Sequence, residues 1–62
     1  MNANMTALIE YVKTAEKVTA VSAARAYYGR QPESMKEINA LLIDLRRNGY
    51  HDVSYLVKAI KG

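Results

Sequence analysis

The stretch Ser34–Tyr50, SMKEINALLIDLRRNGY, reads as one helix with both of its ends marked. Ser34 and Glu37 have the capping-box spacing, in which the Ser hydroxyl and the Glu carboxylate each accept from an otherwise orphaned backbone N–H. Pro32 stands just ahead and disfavours helical backbone in the residue before it, so the helix cannot start earlier. At the far end Gly49 can take the left-handed conformation that closes a helix. Tyr50 then falls where a Schellman turn folds it back onto Leu45. Arg46 and Arg47 occupy the last turn, where the helix dipole favours cations. Met35, Ile38, Leu41, Leu42 and Leu45 share one side, which is expected to be buried. Lys36, Asn39, Ala40, Ile43 and Arg47 fall on the outward side.

Ahead of this helix, Gly29-Arg30-Gln31-Pro32-Glu33 is a short polar loop carrying both strong chain punctuators. Further upstream, Met5, Leu8, Ile9 and Val12 follow the i, i+3, i+4, i+7 rule and predict a first helix over about residues 4–15. No Gly or Pro interrupts the chain between there and Gly29, but the pattern does. The first face would continue through Glu16, Thr19 and Ala23, whereas the larger apolar residues stand at Val18, Val21, Ala24 and Tyr28. That displacement predicts a break near Glu16–Thr19, with Thr19 capping a second helix that ends at Gly29. Beyond Tyr50, Asp52 can cap a fourth helix whose Val53, Leu56, Val57 and Ile60 keep helical spacing. A strand there would put Leu56 on the polar side of the alternation and has no Gly-type turn before Gly62.

The chain has 62 residues, half of them hydrophobic, with nine Lys/Arg against six Asp/Glu and a net charge of +3. That length reads as one small helical domain, residues 1–62. A domain of this size buries only about 60% of its unfolded surface, so a homodimer or a larger partner is a reasonable expectation. There is no cysteine, and neither disulfides nor thiolate metal sites are available. A lone His51 among scattered carboxylates does not build a metal site, and no cofactor is expected. The start MNANMTALIE lacks the features of a secretory signal. The longest uninterrupted apolar run, Ala40–Ile43, is far short of the ~20 residues of a membrane span. A soluble, cytoplasmic protein is expected.

Catalysis finds no support in the residues. Glu10 and Glu16 do not share adjacent turns of one face, and the single histidine has no Ser or Cys signature near it. Three scattered glycines form no phosphate loop. The expectation is a non-enzyme without a small-molecule substrate.

Two short helices joined by a polar loop, the second with basic and amide groups outside, are the ingredients of a helix-turn-helix. Lys36, Asn39, Ala40 and Arg47 are the candidates to face bases: amide to adenine, Lys or Arg to guanine, a small methyl to thymine. Arg25, Arg30 and Arg46 are candidates for phosphates. Glu37 and Asp44 fall together on one flank, away from the middle of the outward face. Ile38, Leu42, Leu45, Gly49 and Tyr50 resemble the third helix of helix-turn-helix and winged-helix DNA-binding regulators, which often ends in leucine, three residues, glycine and an aromatic or aliphatic residue. Val21-Ser22-Ala23-Ala24 followed by Gly29 is similar to the preceding helix and its turn. The likeness spans roughly residues 8–50. It implies a helix-turn-helix-like core that binds duplex DNA as a transcriptional or accessory regulator. With the four short helices read from the pattern and the dimer expected from the small size, the expectation is an all-α dimeric DNA-binding protein. The winged-helix alternative would end in a C-terminal strand. The chain departs from the pattern in three respects: Arg25 stands where a small alanine is usual, the loop to Glu33 is long, and a wing hairpin has no room after Tyr50.

The same residues fit a second class of function, a small helical adaptor or inhibitor that binds a larger protein. A capped amphipathic helix with Lys, Asn and Arg outside is also what an ordinary solvated helix looks like. Ile43 beside Ala40 could centre a protein contact, with Tyr27 and Tyr28 as interface residues, since interfaces favour tyrosine and arginine. Tyr27 and Tyr28 between Arg25 and Arg30 also admit base stacking. The commoner outcome for such a pair is one ring in the core and one at the surface. Tyr11 and Tyr55 are expected to cover the rim of the core.

Overall fold

A computed structural model describes residues 2–62. Four helices follow one another: α1 Ala3–Thr14, α2 Ala20–Tyr28, α3 Met35–Arg47 and α4 Val53–Lys61. No strand occurs among the described residues. The winged-helix alternative with a C-terminal strand is therefore corrected. Residues 53–61 are helical because Asp52 caps them, its carboxylate accepting from the Tyr55 N–H at 3.0 Å.

Each of the other starts has its own chemistry. The Asn2 side chain accepts from the Met5 N–H at 2.8 Å and opens α1. Thr19 opens α2 through a reciprocal pair: its hydroxyl accepts from the Ser22 N–H at 3.0 Å, and the Ser22 hydroxyl accepts from the Thr19 N–H at 2.8 Å. The expected break between the first two helices falls at residues 15–19. α2 ends at Gly29, in the left-handed region at φ 74°.

At α3 one expectation is corrected. Ser34 holds the N-cap position, but its side chain makes no capping hydrogen bond. Glu37 does not return to the Ser34 N–H. It accepts instead from the Glu33 N–H at 2.6 Å and from the Arg30 guanidinium. The two-pronged bond from Arg30 outcompetes the single Ser34 N–H for the Glu37 carboxylate, and the Glu37 N–H donates to the Ser34 carbonyl at 3.1 Å rather than to its hydroxyl. The other end behaves as expected. Gly49 lies at φ 92°, its N–H reaches the Arg46 carbonyl at 3.1 Å, and the Tyr50 N–H reaches Leu45 at 2.9 Å. These two bonds are the Schellman pattern.

The helices close a ring: α1 packs on α2 and α4, and α3 packs on the same two. Met5, Leu8 and Val12 of α1, Ala23, Ala24 and Tyr27 of α2, Ile38, Leu41 and Leu45 of α3, and Leu56 of α4 form the core. Ala23 and Ala24 are fully buried, and their small side chains let α2 lie close against its neighbours. Val18, Leu42, Tyr50, Val53, Val57 and Ile60 pack around that core half-buried. Met35 departs from the expected buried set and is 66% exposed. It sits in the first turn, about 60° around the wheel beyond Ile38 at ~100° per residue, past the edge of the packed arc. At the bottom of the ring the Lys61 ammonium donates to the carbonyl of Ala15, tying the end of α4 to the end of α1. No described helix is long and apolar enough to cross a membrane.

Candidate nucleic-acid interface

α3 has two polar sides with opposite characters. The side toward α2 carries both of its carboxylates. The Tyr27 hydroxyl donates to Asp44 Oδ2, and the Tyr28 hydroxyl donates to the Glu37 carbonyl at 2.7 Å. The two rings meet edge-on with centroids 5.0 Å apart. Burial raises both phenol pKa values, and the neighbouring carboxylates, Asp44 for Tyr27 and Glu37 for Tyr28, push in the same direction. The Arg30 guanidinium embraces both oxygens of Glu37 and lies 5.5 Å from the centre of the Tyr28 ring. The bond from Arg30, followed by that from the Glu33 N–H, lowers the Glu37 pKa from its ordinary 4.5 to about 2.

The opposite side carries Lys36, Asn39, Ala40, Ile43, Arg46 and Arg47, all exposed. Lys36, Ala40, Ile43 and Arg47 follow the i, i+4, i+7, i+11 spacing of one row along the helix, with Asn39 and Arg46 in the row beside it. No carboxylate lies in either row. Arg47 approaches Asp44 at 3.7 Å around the side of the helix, yet its side chain stays 76% exposed. Arg46 donates from Nε to the His51 carbonyl at 3.4 Å, across the turn into α4.

The structure therefore brings the four expected base-facing residues and Arg46 onto one surface. It does not bring Arg30 there, because Arg30 is held by Glu37. Arg25, on the exposed side of α2, donates to the Gln31 side-chain oxygen at 3.1 Å and pairs with no carboxylate among the described residues. Ile43, proposed for a protein contact, is 49% exposed in the middle of the surface. Tyr27 is 4% exposed, so it stands in the core, while Tyr28 is half-buried. With both hydroxyls bonded to α3, the pair fastens two helices together. Neither ring is presented as a stacking platform.

Sequence reasoning did not assign the tyrosines to that fastening. A signal existed for one of them: Asp44, on that flank, needed a donor that Tyr27 could supply, whereas Tyr28 bonds a main-chain carbonyl of α3 that no side-chain pattern marks. His51 and Tyr55 form a second aromatic pair, with centroids 5.2 Å apart. The His51 ring nitrogen lies 3.2 Å from Asp52, whose pKa is lowered first by the Tyr55 N–H and then by His51.

The described residues contain no cluster of three potential metal ligands and no detected pocket. No family model, curated protein or solved structure matches this chain.

Proposed function

We propose that this chain is a small helix-turn-helix-type protein that binds duplex DNA through the outward face of α3 and acts as a transcriptional or accessory regulator. One observation carries the reading. Glu37 is held by Arg30 of the preceding loop and Asp44 by Tyr27 of α2, so the outward face offers cations and an amide, with Asp44 only at its edge, 3.7 Å from Arg47. Such a face suits a polyanion whose base edges lie between two rails of phosphate. Lys36, Asn39, Ala40 and Arg47 face the bases in this reading. Arg46 and Arg25 serve the phosphates, and Arg30 contributes by holding the loop before α3.

The test is selection from a random duplex pool at about 150 mM salt, where non-specific attraction is weakened. Recovery of one short motif supports the reading, and an inverted repeat adds a dimer. Asn39→Ala should then relax preference at one base position by about 1–3 kcal/mol, whereas Arg46→Ala should weaken all sequences alike. Equal losses on every sequence for both variants would remove the assignment of roles. Recovery of nothing would remove the reading itself.

A second reading has its own observation. Met35 and Ile43, 66% and 49% exposed, put two large apolar side chains on the solvent side of one helix. An adaptor or inhibitor that docks on a larger protein would use them as anchors. Ile43→Glu separates the two functions in sedimentation. Loss of a partner or dimer with DNA affinity intact supports the adaptor.

A further inference from the structure

We infer that the outward face of α3 reads a DNA segment with thymine methyls at its centre and guanines on its flanks, with Ile43 as the specificity-determining residue for the centre. This inference rests on the DNA-binding reading above and sharpens it. The order of side chains along the exposed row carries it: Lys36, Ala40, Ile43, Arg47, or cation, methyl, branched aliphatic, cation. From Lys36 to Arg47 the row spans about 16 Å at ~1.5 Å per residue, which is roughly five base steps at ~3.4 Å each.

The ends of that row can donate to guanine O6 and N7, as Lys and Arg do in the major groove. The middle cannot donate or accept, because neither Ala40 nor Ile43 has a polar side-chain atom. What it can cover is the thymine C5 methyl, the apolar group that base edges display in the major groove. Ile43 stands 49% exposed between the cations, so it reaches outward rather than filling the core. Asn39 lies one helical turn before Ile43 on the adjoining row, exposed and with no hydrogen bond from its side chain among the described residues. Its amide matches adenine N6 and N7, which places an A·T pair beside the methyl that Ile43 covers.

Charge decides the occupant. A second copy seated face to face would set Lys36 and Arg47 against their own like charges. A duplex supplies anionic rails at the cationic ends and an apolar methyl at the uncharged centre.

Uracil provides the test, since it pairs as thymine does and lacks only the C5 methyl. In the duplex recovered from the random pool, central thymines are replaced by uracil and binding is measured for the wild type and Ile43→Ala. The wild type should lose about fourfold in affinity for each covered methyl, and Ile43→Ala should lose discrimination at the pair that Ile43 covers while keeping it at the pair facing Ala40. Thermal melting of the variant confirms that it is folded. Equal binding of thymine and uracil duplexes by the wild type overturns the inference, as does discrimination at every central pair that survives Ile43→Ala undiminished. A recovered motif without methyl sensitivity overturns only this inference, whereas a pool that yields no motif overturns the DNA-binding reading with it.

Discussion

The two polar flanks of α3 are made from similar residues and do opposite things. On the α2 side every strong acceptor meets a donor from within the chain: Asp44 meets Tyr27, the Glu37 carbonyl meets Tyr28, and the Glu37 carboxylate meets Arg30 and the Glu33 N–H. On the outward side Lys36, Asn39 and Ile43 meet no such partners among the described residues. The satisfied flank fixes the axial rotation of the helix, since turning α3 would break several bonds at once. The unsatisfied flank is thereby aimed. A recognition surface needs this division, because side chains that reach for a ligand must stand on a backbone that does not adjust.

The largest test of that division is in the core beneath both flanks. Leu41→Ala removes a fully buried side chain and should lower stability by about 2–5 kcal/mol. Ile43→Ala, two residues along but outward, should stay within about 0.5 kcal/mol of wild type. Urea denaturation measures both, and comparable losses would erase the distinction. Next comes Tyr27→Phe, which leaves Asp44 without its donor from α2. Asp44 is 32% exposed, so water recovers part of the bond and the expected loss is about 1 kcal/mol. A double-mutant cycle with Asp44→Ala isolates the coupling, and zero coupling would mean that the flank is not fastened there.

The caps form a smaller comparison. Thr19→Ala breaks a formed capping box and should cost about 1 kcal/mol. Ser34→Ala removes a hydroxyl that makes no capping bond, so thermal melting should register only about 0.5 kcal/mol or less. The last comparison concerns acid. Because the Glu37 pKa falls from 4.5 to about 2 on folding, the unfolded chain takes up this proton first as pH drops. The stabilisation from the ionised carboxylate is present above about pH 4.5 and is lost as pH falls toward about 2. Glu37→Gln should flatten that limb of the stability–pH curve. Asp52, also lowered, keeps a residual slope of the same sign. An unchanged acid limb in Glu37→Gln would show that the Arg30 clamp adds nothing.

Local signals made much of this fold legible. Thr19, Gly29, Gly49 and Asp52 each act where their backbone chemistry places them, and apolar spacing separated α1 from α2 although no Gly or Pro lies between. Reading failed where a distant residue competed. Ser34 and Glu37 have a capping spacing, but Arg30, seven residues before Glu37, offers a stronger partner. Met35 satisfies the period of its helix yet lies beyond the reach of the neighbouring helices. The outward residues of the candidate site were legible from periodicity alone. The roles of Tyr27, Tyr28 and Arg30 were not, because they depend on how α2 lies against α3, and no spacing within one helix encodes that.

The ring arrangement has a kinetic consequence. Three of its four seams, α1 with α2, α2 with α3 and α3 with α4, join helices that are consecutive along the chain. Such neighbours find each other after closing short loops, at little entropic cost. The fourth seam, α1 with α4, brings distant parts of the chain together and carries the Lys61 bond to the Ala15 carbonyl. Low contact order of this kind gives folding times of microseconds to milliseconds. The α1–α4 seam is the long-range step in that process, and the first three helices can associate before it closes.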